Sequence, residues 1–381
     1  MYDQHPRISV VIHLDNRNKT FTIILIVFFF YETLEGGLFM PWEVLGVLAL
    51  LIIGLVLIIK GGDYFVDGAS WLAEVSGIPK FIVGATIVSI ATTLPEIVVS
   101  LISAKNEPDM AIGNAVGSVV FNTGIIMAIA LIAQPFIIKR KDYAFKGILL
   151  TVVMALLAIF SFQGVDLGNI NAETTGLFGF IGAVILLILF IVFIVENVIS
   201  AKRNAAENAD EEKPVATKQT LTVNLLKLIG GAAGIAVGAI LLKDNAATLA
   251  AMAGIPQAVI GVTVLAIGTS LPELVTMIIA VKKGEASLSI GNIIGANTID
   301  LAIILPLSAF IAGGAGLTVT NIHLLLTMPV TLLIILIGIV PTLVFKKFAR
   351  WQGFTMMAIY LAYFVYNIVI TVAGLWHTPT T

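Results

Sequence analysis

The chain has 381 residues, 59% hydrophobic and only 12% charged, with a net charge of −2 and a mean hydropathy of +1.05. That much apolar surface exceeds what a soluble core of this length can hide, so the composition predicts a polytopic membrane protein. There is no cysteine, which excludes a disulfide framework, a thiolate metal site and a thiol nucleophile. The four histidines, His5, His13, His323 and His377, sit near the chain ends or in an expected loop, which argues against a histidine-ligated metal centre. The net charge points to no macromolecular partner: the lipid bilayer is expected, nucleic acid is not, and no protein partner can be read.

In chain order, Phe21–Tyr31 is an apolar run too short to span a bilayer, and its mixed polar lead is poor for a signal peptide. Residues 1–39 are read as an extension upstream of a natural start at Met40, or else as an interfacial appendage. A hydrocarbon core takes about 20 residues of helix. Apolar runs of that size predict spans near 42–60, 80–104, 110–137, 145–163, 174–197, 222–242, 257–281, 287–312, 321–345 and 353–375. A long polar segment, 201–220, carries Lys202, Arg203, Glu207, Asp210, Glu211, Glu212, Lys213 and Lys218 and reads as a solvated linker. It separates a five-span unit, 40–200, from a second, 221–381.

Orientation follows the Lys and Arg residues, which cytoplasmic loops carry in excess. Lys139, Arg140, Lys141 and Lys146 follow span three; the linker lysines follow span five; Lys282 and Lys283 follow span seven; Lys346, Lys347 and Arg350 follow span nine. With ten spans these loops share one side, expected to be the cytoplasm of a cell or inner membrane. The alternate loops, Gly164–Thr175 and Gly313–Asn321, contain no Lys or Arg. Each unit has an odd number of spans, so the two begin on opposite sides.

The units are also related in sequence. Gly77–Glu96 aligns ungapped with Gly254–Glu273, identical at half the positions, and both end in Thr-x-Leu-Pro-Glu. The match reaches upstream to Asp67 and Asp244. Downstream, Gly113 and Asn114 meet Gly291 and Asn292, Gly117 meets Gly295, and Asn122 meets Asp300. A five-span unit repeated with opposite orientation is an architecture of secondary transporters, with the site at the midplane where interrupted helices meet. The expected fold is an all-α membrane protein of ten transmembrane helices in two inverted five-helix repeats.

The repeated residues suit a hard cation. Proline cannot donate to the carbonyl four residues earlier, so Pro95 releases that of Ala91 and Pro272 that of Gly268. Freed carbonyls at membrane depth are tolerated where they line a cavity. Thr92 and Thr93 stand four and three residues before Glu96, on its helix face, and Thr269 and Ser270 stand likewise before Glu273. Ser118 and Asn122 share a face at i, i+4; their counterparts are Ala296 and Asp300. Oxygen-only ligation selects ions such as Na⁺, Ca²⁺, Mg²⁺ or Mn²⁺. Glu96, Glu273 and Asp300 supply up to three negative charges, or fewer if one is protonated. Intramembrane acids mark ion or proton paths, and neither glutamate helix carries a nearby Lys or Arg to pair with its acid.

The segments GATIVSIATTLPE with GNAVGSVVFN, and GVTVLAIGTSLPE with GNIIGANTID, resemble the two alpha repeats of the calcium/cation antiporter superfamily, most closely its prokaryotic sodium/calcium exchangers. The resemblance covers residues 40–375 and implies exchange of Ca²⁺ against Na⁺ at overlapping sites, with spans one and six sliding past the others. It also implies that Glu96 and Glu273 are the central Ca²⁺ ligands, that Thr92 and Thr269 add backbone oxygens, and that Thr93, Ser270, Ser118, Asn122, Asp300 and the carbonyls of Ser89 and Ala266 complete the Na⁺ sites or the polar wall. Thr93 replaces the usual serine and Ala91 the usual glycine. Ala296 stands where the family has a serine hydroxyl, which weakens an outer Na⁺ site and keeps antiport of H⁺ against Ca²⁺, or transport of another divalent cation, as an alternative.

Glycines 84, 113, 117, 124, 261, 291 and 295 are read as packing residues. Thr86, Ser100, Ser103, Thr263 and Thr276 are expected to satisfy helix carbonyls, and Asp63, Asp67 and Asp244 to sit at helix ends near the interface. A channel would need a continuous pore rather than paired broken helices. An intramembrane enzyme is the weakest reading, since no nucleophile elbow or metalloprotease motif appears. No catalytic residue and no cofactor are expected; Ca²⁺ and Na⁺, or H⁺, are cargo.

Overall fold

The structure is a computed structural model that describes residues 42–105, 108–166, 168, 174–207, 216–253, 266–313 and 316–372. The expected extension at 1–39, linker residues 208–215 and the opening of the seventh span, with Gly261 and Thr263, lie outside the described residues. The chain divides into two units, Met1–Gly46 and Val47–Thr381. Of the first, the described part is the opening turn of α1; the second holds everything that follows.

The elements run α1 (Trp42–Ser76), α2 (Lys80–Thr92), α3 (Leu94–Ser103), α4 (Met110–Ala133), α5 (Arg140–Ser161), β1 (Thr175–Phe178), α6 (Phe180–Glu207) and α7 (Lys218–Met252). They continue with α8 (Ala266–Thr269), α9 (Leu271–Lys282), α10 (Ala286–Ile311), β2 (Leu317–Thr320), α11 (His323–Phe345) and α12 (Arg350–Val372). Among the described residues eight helices are long and apolar enough to cross a membrane, or nine if α2 and α3, bent by 45° at their break, form one span. The protein is a multi-pass, mostly helical membrane protein.

Four expectations change. The first and sixth spans, placed at 42–60 and 222–242, are 35-residue helices. At 1.5 Å per residue these are about 50 Å long, well beyond a hydrocarbon core of about 30 Å. Asp63, Asp67 and Asp244 therefore lie inside helices rather than at their ends. The helix passes through the acids of α1 because lysines partner them: Lys283 Nζ lies 2.7 Å from Asp67 and 3.5 Å from Asp63, and Lys227 lies 3.8 Å from Asp67. The fold is also not purely α, because the start of the expected fifth span, Thr175–Phe178, pairs as β1 antiparallel with β2, Leu317–Thr320 of the second loop that lacks Lys and Arg, with Phe178 opposite Leu317 and Thr175 opposite Thr320. Consequently α6 starts at Phe180 rather than 174 and runs to Glu207, into the expected linker.

The loops rich in Lys and Arg meet one another in the same way. Phe348 N donates to Phe136 O at 3.0 Å and Ile138 N to Lys346 O at 3.3 Å, with the Phe136 and Phe348 rings 5.2 Å apart. Lys141 pairs with Glu207, and Lys80 with Glu285 and Glu74. Each of these pairings joins ends that the sequence places on one side of the bilayer.

Glycine decides how closely the helices approach. Along α1 and α7, which run antiparallel, Gly54 abuts Gly238, Gly61 abuts Gly231, and Gly68 abuts Asn224 and Leu228, in seven-residue steps of opposite direction. A Cβ on Gly61 would lie 2.8 Å from both the Gly231 carbonyl oxygen and Ile235 N, so backbone meets backbone along the seam. Between α2 and α10, Gly84 faces Leu288 O, Gly291 faces Phe81 O, and Gly295 faces Ser89 and Ala85. Gly117 has open space beside it and is not a packing glycine. In α11, Pro341 frees the carbonyl of Ile337. Gln352 of α12 answers it, donating from Nε2 to Ile337 O and Gly338 O, both at 3.0 Å.

Candidate cation site

The two Thr-x-Leu-Pro-Glu segments break their helices in the same way. Thr93, between α2 and α3, has φ −83° and ψ −2°, while Ser270, between α8 and α9, has φ −88° and ψ 9°. Both sit in the bridge region, where a helix can stop and restart. Pro95 and Pro272 then fall in the first turn of the new helix, where a missing N–H costs nothing. Glu96 and Glu273 occupy those same first turns, at the positive end of the helix dipole.

Both glutamates are 1% exposed and Asp300 is 0% exposed. Ser89, Thr92, Thr93, Ser118, Asn122, Thr269 and Ser270 are buried as well. The broken helices reach across to each other: Thr93 Oγ1 donates to Ser89 O at 2.7 Å and leans toward Glu273 Oε1 at 3.4 Å. Asn122 and Asp300, counterparts in the repeat, each open a π-helical stretch, Asn122–Met127 and Asp300–Ile304. Such bulges re-aim side chains and are frequent at functional sites.

The structure brings in residues that the sequence reading missed. Thr92 Oγ1 donates to Asn292 Oδ1 at 3.1 Å, and its counterpart Thr269 donates to Asn114 Oδ1 at 3.4 Å. The aligned Gly-Asn pairs carried this signal, since Asn114 and Asn292 are themselves counterparts. Asn122 Nδ2 donates to Asn297 Oδ1 at 3.2 Å, and Asn297 Nδ2 to Thr123 Oγ1 at 2.8 Å. Lys243 of α7 lies within electrostatic reach of Glu96, as do Glu273 and Asp300. Nothing in the glutamate helices announced that lysine.

Of the expected oxygens, the Ser89 carbonyl accepts from Thr93 N at 3.0 Å and from the Thr93 hydroxyl at 2.7 Å. Ala266 opens α8. Both carboxylate oxygens of Glu96 and of Asp300, Oε2 of Glu273, Oδ1 of Asn122 and the hydroxyls of Ser118 and Ser270 are buried without a protein partner. Among the described residues no three acidic or imidazole groups converge as a metal cluster. The donors are instead mixed carboxylate, hydroxyl and amide oxygens on broken helices, a set that fits hard cations.

A multi-pass helical bundle with buried acids at paired helix breaks defines a membrane protein built to handle cations. A family model described as sodium/calcium exchanger protein matches residues 46–198 and 223–369, and the chain belongs to that family of cation/Ca²⁺ antiporters. It is 32% identical to an uncharacterized membrane protein of Methanocaldococcus jannaschii over 81% of this chain and 94% of that one. It is 35% identical to inner membrane protein YrbG of Escherichia coli over 70% of this chain and 80% of that one. With sodium/calcium exchanger MaX1 of Methanosarcina acetivorans it shares 29% identity over 83% of this chain and 97% of that protein. The structure of the sodium-calcium exchanger NCX_Mj soaked with Na⁺ and Sr²⁺ superposes with a TM-score of 0.70 at 28% identity, covering 84% of this chain and 98% of that one.

Proposed function

We propose that this chain exchanges Ca²⁺ for Na⁺ across a cell or inner membrane by alternating access, with Glu96 and Glu273 as the central ligands of one shared site. The observation that carries the reading is the pair of equivalent helix breaks, each presenting a buried glutamate in the first turn of the restarted helix. Thr92, Thr93, Thr269, Ser270, Ser118, Asn122, Asp300 and the backbone at Ser89 and Ala266 supply the surrounding oxygens.

The architecture we infer is ten spans in two inverted five-helix repeats, 40–200 and 221–381. Two loop pairings support it. Loop 134–139 pairs with 346–349, and β1 with β2. The repeat would carry each loop of the first pair onto one of the second, exchanging sides of the membrane. We place the Lys- and Arg-rich side, with the 201–220 linker, in the cytoplasm.

Coupling follows from mutual exclusion. The glutamates ligate Ca²⁺ or Na⁺ but not full sets of both, so arrival of one expels the other. An emptied, charged site resists closure in an apolar barrier, which suppresses leak. The test is ⁴⁵Ca²⁺ uptake by reconstituted vesicles loaded with Na⁺ or choline, or carrying only a pH gradient. Uptake that needs internal Na⁺ supports the reading; uptake driven by the pH gradient alone replaces it with H⁺/Ca²⁺ antiport.

A further inference from the structure

The repeat is unequal at one point beside the site. By the register that aligns Glu96 with Glu273, Val66 of α1 corresponds to Lys243 of α7, and Ala91 to Gly268. In the first half, Val66 is fully buried, and Ala91 packs against the apolar cluster to which Val66 belongs. In the second, the Lys243 stem lies across the helix break: a Cβ on Gly268 would come within 2.9 Å of Lys243 Cβ and 3.2 Å of its Cδ. Loss of the methyl at one position thus makes room for a long cationic side chain at the other. Gly268 precedes Thr269, and its carbonyl is the one that Pro272 releases.

The charge of this side chain acts on Glu96, more weakly than the charges of Glu273 and Asp300 do. Its recorded ion pair is with the adjacent Asp244 at 3.3 Å; the Asp244 side chain is 60% exposed and that of Lys243 only 20%. Water screens the pair at its exposed end, so it holds the ammonium weakly. In the same half of the repeat, Ala296 is fully buried and offers no side-chain oxygen where its counterpart Ser118 has a hydroxyl. One half of the site is therefore a ligand short and a fixed positive charge richer.

We propose that Lys243 is a tethered cation of the exchange site, standing in for one transported Na⁺, so that the chain moves one Na⁺ fewer per Ca²⁺ than it would with an apolar residue there. The inference rests on the sodium/calcium reading of the site. Closing three acids into a low-dielectric barrier demands compensating charge. An ammonium on a helix of the chain supplies one unit of it in every cycle, whereas a dissolved Na⁺ must be bound anew each time.

The experiment sets the membrane potential with K⁺ and valinomycin in vesicles holding the full chain, imposes fixed Na⁺ and Ca²⁺ gradients, and finds the potential at which net ⁴⁵Ca²⁺ flux vanishes. Exchange of two Na⁺ for one Ca²⁺ moves no net charge, so a flux whose direction no potential alters marks that ratio; at any other ratio the potential gives the number of Na⁺ per Ca²⁺. Lys243→Met, which keeps the stem over Gly268 and removes the charge, is expected to raise the number by one, while Lys243→Arg keeps the value of the unaltered chain. Equal coupling in Lys243→Met and the unaltered chain overturns the proposal and leaves Lys243 as a packing and Asp244-pairing residue. If Lys243→Met yields no folded protein, Lys243→Gln decides on the same readout. Absence of Na⁺-driven flux in the unaltered chain overturns the underlying reading as well.

Discussion

The Thr92 hydroxyl donates to Oδ1 of Asn292 at 3.1 Å, joining α2 to α10 across the two sequence-related halves. Thr269 makes the equivalent bond to Asn114 at 3.4 Å, and Asn114 Nδ2 in turn donates to Ser100 Oγ at 2.9 Å. Each asparagine fixes the threonine that stands four residues before a buried glutamate. An outer-shell partner of this kind typically alters metal affinity by about 10- to 100-fold. Asn292→Ala and Asn114→Ala are each expected to weaken Ca²⁺ affinity by about ten-fold without preventing folding, measured by ⁴⁵Ca²⁺ binding to purified protein. Unchanged affinity in both would reduce these bonds to helix packing.

Glu96→Gln or Glu273→Gln keeps the side chain's size and removes its charge. Either change is expected to bring Ca²⁺ flux to the level of protein-free vesicles while expression stays intact. Asp300→Asn is expected to be milder, shifting the Na⁺ or H⁺ dependence more than Ca²⁺ affinity. Normal uptake by either glutamate variant would remove this site from consideration.

The α1/α7 seam gives a stability prediction. Overpacking a close backbone contact costs about 1–3 kcal/mol. Gly61→Ala places its methyl against the Gly231 carbonyl and is expected to lower the unfolding temperature in detergent. Gly230→Ala, one residue from the seam with open space beside it, serves as the control and should leave that temperature unchanged.

Gln352 offers a second. Its Nε2 serves Ile337 O, Gly338 O and Thr342 Oγ1, and its Oε1 accepts from Ala349 N at 2.8 Å. Leaving a buried polar group unsatisfied costs about 1–3 kcal/mol. Gln352→Leu is therefore expected to destabilise the protein by at least that much, read as a lowered thermal midpoint; an unaltered midpoint would mean that water satisfies the Pro341 kink instead.

Much of the candidate site was legible because it is written twice. Thr92–Glu96 and Thr269–Glu273 give hydroxyl, proline and carboxylate at the same spacing, and the structure breaks both helices at that point. Asn114 and Asn292 were aligned yet passed over, since a repeated asparagine beside a glycine carries no chemistry until its partner threonine is known. Lys243 was beyond reach, because Gly268, against which its stem packs, and Glu96, on which its charge acts, lie on other helices and no periodicity links them. Asp63 and Asp67 misled in the other direction: acids in an apolar run look like a helix end until Lys283 is found beside them. The strands β1 and β2 escaped notice because four-residue strands that pair across some 140 positions leave no local pattern.

The central claim is that Ca²⁺ and Na⁺ compete for one site at Glu96 and Glu273. Equilibrium ⁴⁵Ca²⁺ binding to the purified protein, titrated with Na⁺ at constant ionic strength using choline, tests it most directly. The account predicts that Na⁺ displaces Ca²⁺ completely and cooperatively, and that Glu273→Gln abolishes Ca²⁺ binding. Ca²⁺ binding that persists undiminished in saturating Na⁺, or that survives Glu273→Gln, would contradict it.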